Sequence, residues 1–257
     1  MEKDLQNGYV TAEIHKGITT IEFFHPQSNA LPQRILEALA NEIHAAGADA
    51  ETVVIVLRSG GSGAFCAGAS FDELSGIEDE KKGFDFFSGF ANVINAARKC
   101  PKLIIARVHG KCVGGGVGLA AAADYAIAHE SAEIKLSELS IGIGPFVVGP
   151  AVVHKIGRAA FAQLAIDSAM WRNGDWARRK GLYAELHPTA EGMDESVSRL
   201  SAQLAHTSPE AMKALKKMLW EGTEDWDDLL CARAEISGRL VVSRFTKAAI
   251  ATFKRKA

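Results

Sequence analysis

Short apolar runs and longer stretches with helical spacing alternate along the first two thirds of the chain. Val53–Leu57 and Leu103–Val108 are continuous apolar runs rich in β-branched residues, so their length and composition predict buried strands rather than helices. Tyr9–Ile14 and Ile18–Phe23 are rich in β-branched and aromatic residues and flank Lys16-Gly17. This pattern predicts a hairpin at the start of the chain.

Helices are predicted where apolar residues recur three and four positions apart. The predicted helices are Pro32–Ala46, Phe84–Lys99, Ala159–Met170, Glu191–Ala205, Pro209–Trp220 and Trp226–Leu240. Beyond residue 158 one short strand, Tyr183–His187, interrupts them. Strands that alternate with helices, followed by helices alone, predict an α/β core over residues 1–200 and a C-terminal helical region over residues 201–257.

Each of the two apolar strands leads into a glycine-rich loop. The first loop is SGGSGAFCAGAS, residues 59–70, and the second runs from Gly110 to Gly118 before a segment of small residues. Glycine lets the backbone approach a ligand closely, and the first N–H groups of a helix have no partner within that helix. If the two strands are neighbours, one N–H from each loop points at the same oxygen. Such a pair is an oxyanion hole, which stabilises an enolate or a tetrahedral intermediate.

The glycine loops match no phosphate-binding or serine-hydrolase motif. A dinucleotide-binding fingerprint that begins at Gly114 requires glycine at position 119, where the chain has Leu119, and no Gly-Lys-Ser/Thr is present. The G-x-S-x-G motif of serine hydrolases is also absent. The structural alternative to an oxyanion hole is a plain tight turn with a helix packed behind it.

Composition narrows the class of protein and its partners. The chain has 257 residues, 47% of them hydrophobic, with a net charge of −2, so we expect a large core and neither a nucleic-acid nor a membrane partner. The N-terminal segment MEKDLQNGYV has no apolar signal region, and no apolar run reaches about 18 residues. The four cysteines have no paired metal-ligand spacing, which predicts reduced thiols, no metal site and a cytoplasmic protein.

Three segments, in a fixed order, carry a family resemblance. They are Ala64-Phe65-Cys66-Ala67-Gly68-Ala69, then Val108-His109-Gly110 through Gly114-Gly115-Gly116, then Leu136-Ser137-Glu138-Leu139-Ser140-Ile141-Gly142-Ile143 with Pro145. Asn29-Ala30-Leu31 and residues 176–182 fit the same pattern. Together they resemble the successive signatures of the crotonase superfamily, the enoyl-CoA hydratase/isomerase family, from about residue 10 to about residue 255.

The resemblance implies a fold, an assembly and a ligand. The fold is a crotonase-type spiral of stacked ββα turns, with the C-terminal helices serving oligomerisation as a homotrimer or a dimer of trimers. The substrate is an acyl-coenzyme A thioester, so coenzyme A is part of the substrate and no separate cofactor is expected. The basic C-terminal segment, residues 244–256, either contacts the coenzyme or is a solvated tail.

The resemblance also assigns roles to residues of this chain. Ala69 and Gly115 correspond to the two residues whose N–H groups hold the thioester oxygen, and Glu138 corresponds to one of the two catalytic glutamates. The residues implied in binding substrate and coenzyme A are Ala30, Leu31, Ala67, Phe71 and Gly114. Burial of a carboxylate over an apolar pocket raises its pKa, which suits proton transfer to or from carbon.

The chain departs from the family pattern at Gly118, which stands where the second hydratase glutamate is expected. The expected activity is hydration of a 2-enoyl-CoA. Within the family the chain most resembles a bacterial subgroup of the methylglutaconyl-CoA hydratase type, and this resemblance implies a branched, methylglutaconyl-like substrate. Four alternatives stay open, the first being that Glu138 and ordered water suffice for hydration. An acid such as Asp72 or Glu73 replaces the missing partner, or Glu138 alone performs Δ3,Δ2-enoyl-CoA isomerisation, or the protein binds acyl-CoA without turnover.

Overall fold

The computed structural model describes residues 3–254 of the chain. The strands are β1 Tyr9–His15, β2 Ile18–Phe24, β3 Ala30–Leu31, β4 Val54–Ser59, β5 Gly68–Ala69, β6 Leu103–Val108, β7 Cys112–Val113, β8 Tyr125–His129, β9 Ile134–Lys135 and β10 Glu185–His187. The helices are α1 Gln33–Ala48, α2 Phe71–Gly76, α3 Glu80–Lys99, α4 Gly115–Ala122, α5 Gly149–Ile166, α6 Gly174–Arg179, α7 Ala190–Ala205, α8 Pro209–Leu219, α9 Trp226–Val241 and α10 Arg244–Lys254. A 3₁₀ turn spans Glu138–Ile141.

The long strands form one sheet in the order β1-β2-β4-β6-β8-β10. Strand β1 pairs antiparallel with β2 through the predicted hairpin, and the remaining neighbours are parallel. Lys16 and Gly17 both have positive φ, as the two central residues of a type I′ turn require. The order of the strands confirms that the two glycine loops follow adjacent parallel strands, because β4 pairs directly with β6.

The short strands form two further two-stranded sheets, separate from the six-stranded sheet. Strand β3 pairs in parallel with β5, and β7 pairs in parallel with β9. Each turn of the chain therefore contributes a long strand, a short strand and a helix, in the successions β2-β3-α1, β4-β5-α2 and β6-β7-α4. This repeat confirms the predicted spiral of ββα turns.

The predicted helices are confirmed except in one region. Helix α5 begins at Gly149, ten residues before the predicted start, and is interrupted at Gly157, whose φ of 76° is left-handed. It ends at Ile166, so the predicted extension to Met170 is wrong. The left-handed residue breaks the helical period, which is why the sequence pattern fails here.

The C-terminal helices pack on the core of the same chain. Helix α9 lies along α3 so closely that an ideal Cβ on Gly83 would lie 2.8 Å from the Cα of Gly238. Helix α10 extends over much of the predicted basic segment, of which Arg255 and Lys256 lie outside the described residues. None of the helices within residues 3–254 is long and apolar enough to cross a membrane.

Asp124 joins the sheet to helix α8 through a buried cluster of polar groups. Its side chain is 4% exposed and accepts hydrogen bonds from the Ile104 N–H (2.7 Å), Lys216 Nζ (2.6 Å) and Trp220 Nε1 (2.8 Å). Lys216 is equally buried, so both charges are paired inside the protein. The cluster connects residues 92 and 96 positions apart in the chain.

Candidate active site

A cavity of about 890 Å³ lies where the two glycine loops meet. Its walls include Ala67-Gly68-Ala69 of the first loop, Val113-Gly114-Gly115 of the second, and Glu138 at the start of the 3₁₀ turn. Apolar side chains from α2 and α3 complete the opposite side, among them Phe71, Phe87 and Phe90. Parallel strands place their carboxyl ends at one edge of the sheet, so the loops that follow β4 and β6 come together there.

The backbone geometry directs the N–H of Ala69 away from strand β3. The Ser70 N–H donates to the Leu31 carbonyl at 3.1 Å, and N–H groups of adjacent residues in a strand point to opposite sides. The Ala69 N–H therefore points toward the second glycine loop. Gly115 is the first residue of α4, where a backbone N–H has no partner within the helix. An ideal Cβ on Gly68 would lie 3.5 Å from the Gly115 nitrogen, which shows how closely the two loops approach.

At two positions of the second loop, neighbouring side chains leave room only for glycine. Gly114 has φ +51° and ψ −113°, and a Cβ on it would lie 2.8 Å from Glu138 Oε1. A Cβ on Gly115 would lie 2.1 Å from the Phe90 ring. Side chains at these positions would displace the carboxylate or the aromatic wall, so the backbone of the loop itself forms the floor of the cavity.

Glu138 is placed against this floor by the 3₁₀ turn that it begins. Its Oε2 atom is shielded from solvent and has no hydrogen-bond partner among the residues that the structure describes. Burial raises the pKa of Glu138 from its usual 4.5 to about 7, against a smaller lowering by a backbone hydrogen bond. A carboxyl group with this pKa both accepts and returns a proton near neutral pH.

Val148 fills the space beside Gly118. An ideal Cβ on Gly118 would lie 2.5 Å from Val148 Cγ1, so this position has no room for a larger side chain. Val148 lines the cavity, whereas Gly118 is buried behind it in α4. An apolar side chain therefore lies where the family pattern expects a second carboxylate.

Neither acidic residue of α2 takes the place of that carboxylate in the structure. Glu73 Oε2 accepts the backbone N–H of Gln33 at 2.8 Å, which satisfies the first turn of α1, and Glu73 does not line the cavity. Asp72 lines the cavity but is exposed, and its carboxylate accepts a hydrogen bond from Gln27 Nε2 at 2.7 Å.

The predicted binding residues fall into two groups. Ala30, Ala67, Phe71 and Gly114 line the cavity together with Ala69, Gly115 and Glu138. Leu31 is fully buried among core side chains and does not line it. Its carbonyl, which accepts the Ser70 N–H, instead fixes the direction of the Ala69 N–H.

The cavity residues that the sequence gives little reason to single out include Lys135, Val148 and Trp171. For Lys135 the sequence offers one indication that it lines the cavity. Lys135 follows buried Ile134 in a strand, so its side chain must face the other side. Val148 and Trp171 are brought to the site by tertiary packing, which leaves no local pattern.

The cysteines and a nearby histidine do not supply a nucleophile or a base. Cys66, Cys100 and Cys112 are buried, and burial raises the pKa of Cys66 to about 12. Cys231 is exposed and does not line the cavity. Burial lowers the pKa of His109 to about 4, so its ring is neutral at pH 7. Within residues 3–254 no three His, Cys, Asp or Glu side chains are grouped to hold a metal ion.

Solved structures share this fold over nearly the whole chain. An enoyl-CoA hydratase from Bacillus halodurans superposes with a TM-score of 0.87 over 95% of this chain and 99% of that one, at 21% identity. OdaA of Pseudomonas aeruginosa superposes with a TM-score of 0.84 over 95% of this chain and 98% of that one, at 22% identity. At these identities the comparison establishes the fold.

Sequence relatives carry several different activities in their names. The chain is 27% identical to a probable enoyl-CoA hydratase of Bacillus subtilis over 96% of both chains. It is 30% identical to mouse mitochondrial methylglutaconyl-CoA hydratase over 76% of this chain and 63% of that one. It is 27% identical to a Mycobacterium tuberculosis hydrolase of a bicyclic indene-carboxyl-CoA, over 79% of this chain and 80% of that one.

A sequence profile of the family described as enoyl-CoA hydratase/isomerase matches residues 13–251. The match begins within β1 of the hairpin, covers both glycine loops and Glu138, and ends within α10. The chain therefore belongs to the enoyl-CoA hydratase/isomerase family.

Proposed function

We propose that this protein moves the double bond of a 3-enoyl-CoA to the 2-position, with Glu138 as its one proton-transferring group. The observation that carries the proposal is the surroundings of Glu138. Its carboxylate lies against the floor formed by Gly114, while Val148 occupies the space beside Gly118. Of the two acidic side chains that line the cavity within residues 3–254, Glu138 is the one directed at this floor, since Asp72 is exposed and bonded to Gln27.

The proposed reaction uses each part of the site once. The thioester oxygen accepts hydrogen bonds from the N–H groups of Ala69 and Gly115. The Glu138 carboxylate removes a proton from C2, and the electron pair of that C–H bond forms a dienolate whose negative oxygen these N–H groups stabilise. The Glu138 carboxyl then returns the proton to C4, which leaves a double bond between C2 and C3. No water and no second acid take part.

We rank isomerisation above hydration as the proposed activity because hydration has a further requirement. Adding water to C3 needs a group that orients and deprotonates the water, besides the group that protonates C2. The cavity wall beside Gly118 presents the methyl groups of Val148 instead.

Hydration is the second candidate, and the relatives favour it. The Bacillus subtilis relative, which matches over 96% of both chains, is named a probable enoyl-CoA hydratase. The mouse relative is named for methylglutaconyl-CoA, which makes a branched substrate the form of hydration to test first. In that case Asp72 is the acid within reach of the cavity.

The deciding experiment compares three thioesters in single-turnover assays: a 3-enoyl-CoA, crotonyl-CoA and 3-methylglutaconyl-CoA. We expect turnover of the 3-enoyl-CoA and a loss of about 10²–10⁴ in rate for Glu138→Gln, with thioester affinity retained. Glu73→Gln is the matched control, because the same change is made on a glutamate outside the cavity.

Three results would contradict the proposal. Faster hydration than isomerisation in the parent protein would favour the second candidate. Binding of all three thioesters without turnover would make this a non-catalytic acyl-CoA-binding member of the family. Retention of the parent rate in Glu138→Gln would remove Glu138 from the mechanism.

A further inference from the structure

One stretch of the cavity wall carries a positive charge that the proposed proton transfer does not use. Lys135, on β9, and Trp171 both line the cavity. The Lys135 Nζ lies 5.5 Å from the centre of the Trp171 ring, and the Lys111 Nζ lies 4.6 Å from the same ring. Two ammonium groups thus share one indole, and in the part of the chain that the structure describes only Lys111 has a carboxylate partner, Glu133 at 3.1 Å.

Sheet register places these side chains on the face that is turned to the ligand. Val113 and Lys135 are partners in the β7–β9 pair, so their side chains lie on the same face, and Val113 also lines the cavity. Arg172 pairs with Ile134 in an isolated bridge, and Trp171, its neighbour, points to the opposite face from Arg172. Lys135 and Trp171 are therefore neighbours in one continuous wall.

Among the residues that the structure describes, no carboxylate forms a salt bridge with the Lys135 ammonium group. The charged residues lining the cavity, within residues 3–254, are Asp72, Lys135 and Glu138. Asp72 accepts from Gln27, and no salt bridge joins Lys135 to Glu138, both of which the structure describes. The aromatic face stabilises a cation only in part, and a second ammonium group beside it opposes that gain. An anionic group of the ligand would balance this positive charge.

We propose that Lys135, with Trp171 and Lys111, forms an anion-binding subsite for a carboxylate or phosphate group of the acyl-CoA ligand. The proposal rests on the proposed function only in taking acyl-CoA as the ligand. Lys135 and Glu138 are three positions apart in the chain, so their Cα atoms are at most about 11 Å apart. This short span favours a carboxylate at the far end of a short acyl chain over the phosphates beyond the pantetheine arm. The class of substrate is then a dicarboxylic acyl-CoA.

The test measures binding of inert saturated thioesters by calorimetry, so it does not depend on turnover. Glutaryl-CoA and pentanoyl-CoA have the same five-carbon chain and differ by the terminal carboxylate, and pentanoyl-pantetheine lacks the phosphates. We expect Lys135→Met to weaken glutaryl-CoA about fivefold to tenfold and to change pentanoyl-CoA less than twofold, with the loss reduced at high salt. Lys135→Arg should keep most of the affinity.

The matched control is Lys180→Met. Lys180 also lies over an indole, 5.9 Å from the centre of Trp176, but outside the cavity. Equal losses for both CoA esters, with none for pentanoyl-pantetheine, would support the subsite and assign it to a phosphate. Unchanged affinity for all three thioesters in a folded Lys135→Met protein, or equal losses in Lys180→Met, would overturn the proposal. If the unmodified protein shows no isomerase activity but the thioester affinities change as expected, the proposed function is overturned and the anion-binding subsite is not.

Discussion

At the scale of single residues, the site depends more on the backbone than on side chains. The proposed oxyanion donors are the backbone N–H groups of Ala69 and Gly115, and the glycines nearby are fixed by close contacts with Glu138 and the Phe90 ring. Motif order in the sequence was enough to predict Glu138 and the two donors as candidates. Their surroundings were not predictable, because Val148 is 30 positions from Gly118 and Trp171 is 36 positions from Lys135.

Removing the backbone N–H of residue 69 tests the proposed oxyanion hole directly. Ala69→Pro removes the donor, whereas Ala69→Gly keeps it and alters only the side chain. We expect a loss of about 10²–10³ in kcat for Ala69→Pro and little change for Ala69→Gly, measured by turnover of a 3-enoyl-CoA. Thermal unfolding of both variants identifies any loss that comes from misfolding. A folded Ala69→Pro protein with parent activity would exclude this N–H as a donor.

The raised pKa of Glu138 predicts a pH dependence of activity. The ionised carboxylate is the base that removes the C2 proton, so kcat for isomerisation should rise with pH through the pKa of about 7 and then level off. The measurement is kcat between pH 5 and pH 9 with buffers of constant ionic strength. A flat profile across pH 7 would contradict this assignment.

The same pKa predicts a stability change of opposite sign. Because the pKa of Glu138 is raised in the folded protein, from 4.5 to about 7, its contribution is present at low pH and is lost as pH rises through 7. Between pH 5 and pH 8 the free energy of unfolding should fall in the parent, relative to Glu138→Gln, by about 2–3 kcal/mol. Urea unfolding of both proteins at the two pH values measures the difference.

At the scale of secondary-structure elements, local pattern predicted the elements well but not how they meet. The hairpin, the buried strands and most helices follow from apolar spacing and turn residues. Helix α5 does not follow from this spacing, because Gly157 interrupts its period. Where α10 lies, the sequence predicts only a basic segment. Contacts between elements, such as Val148 at the start of α5 against Gly118 in α4, depend on the whole fold.

The contact between α4 and α5 predicts how the reaction can be changed. Gly118→Glu alone should destabilise the protein by about 1–3 kcal/mol, because its Cβ would overlap Val148. Gly118→Glu combined with Val148→Ala makes room for the carboxylate beside the cavity. We expect this double variant to recover stability and to raise the ratio of hydration to isomerisation, with Val148→Ala as the control. No rise in that ratio in a folded double variant would show that Val148 does not determine the reaction.

At the scale of the whole molecule, the C-terminal helices are part of the packed structure of this chain. Trp220, Trp226 and Leu230 are buried in the hydrophobic core of this chain. Three other apolar side chains of α8, Leu215, Met218 and Leu219, lie on one face and are 42% to 57% exposed.

This exposed face of α8 is where we expect contact between subunits in the predicted trimer or dimer of trimers. Burial of three adjacent apolar side chains favours association. Light scattering at micromolar concentration should give at least the mass of a trimer, and Met218→Asp should lower it. His206→Asp adds a charge on the preceding turn as a control. A monomeric parent protein would refute the predicted assembly.

The buried Asp124 cluster has a consequence for how the chain is made. The strands around Asp124 leave the ribosome well before Lys216 and Trp220, which are 92 and 96 positions further along. Until those residues emerge, the Asp124 carboxylate lacks the cation and the indole N–H that satisfy it in the folded chain, and burying it alone would cost several kcal/mol. We therefore expect this edge of the core to be completed only when α8 has been synthesised and has docked.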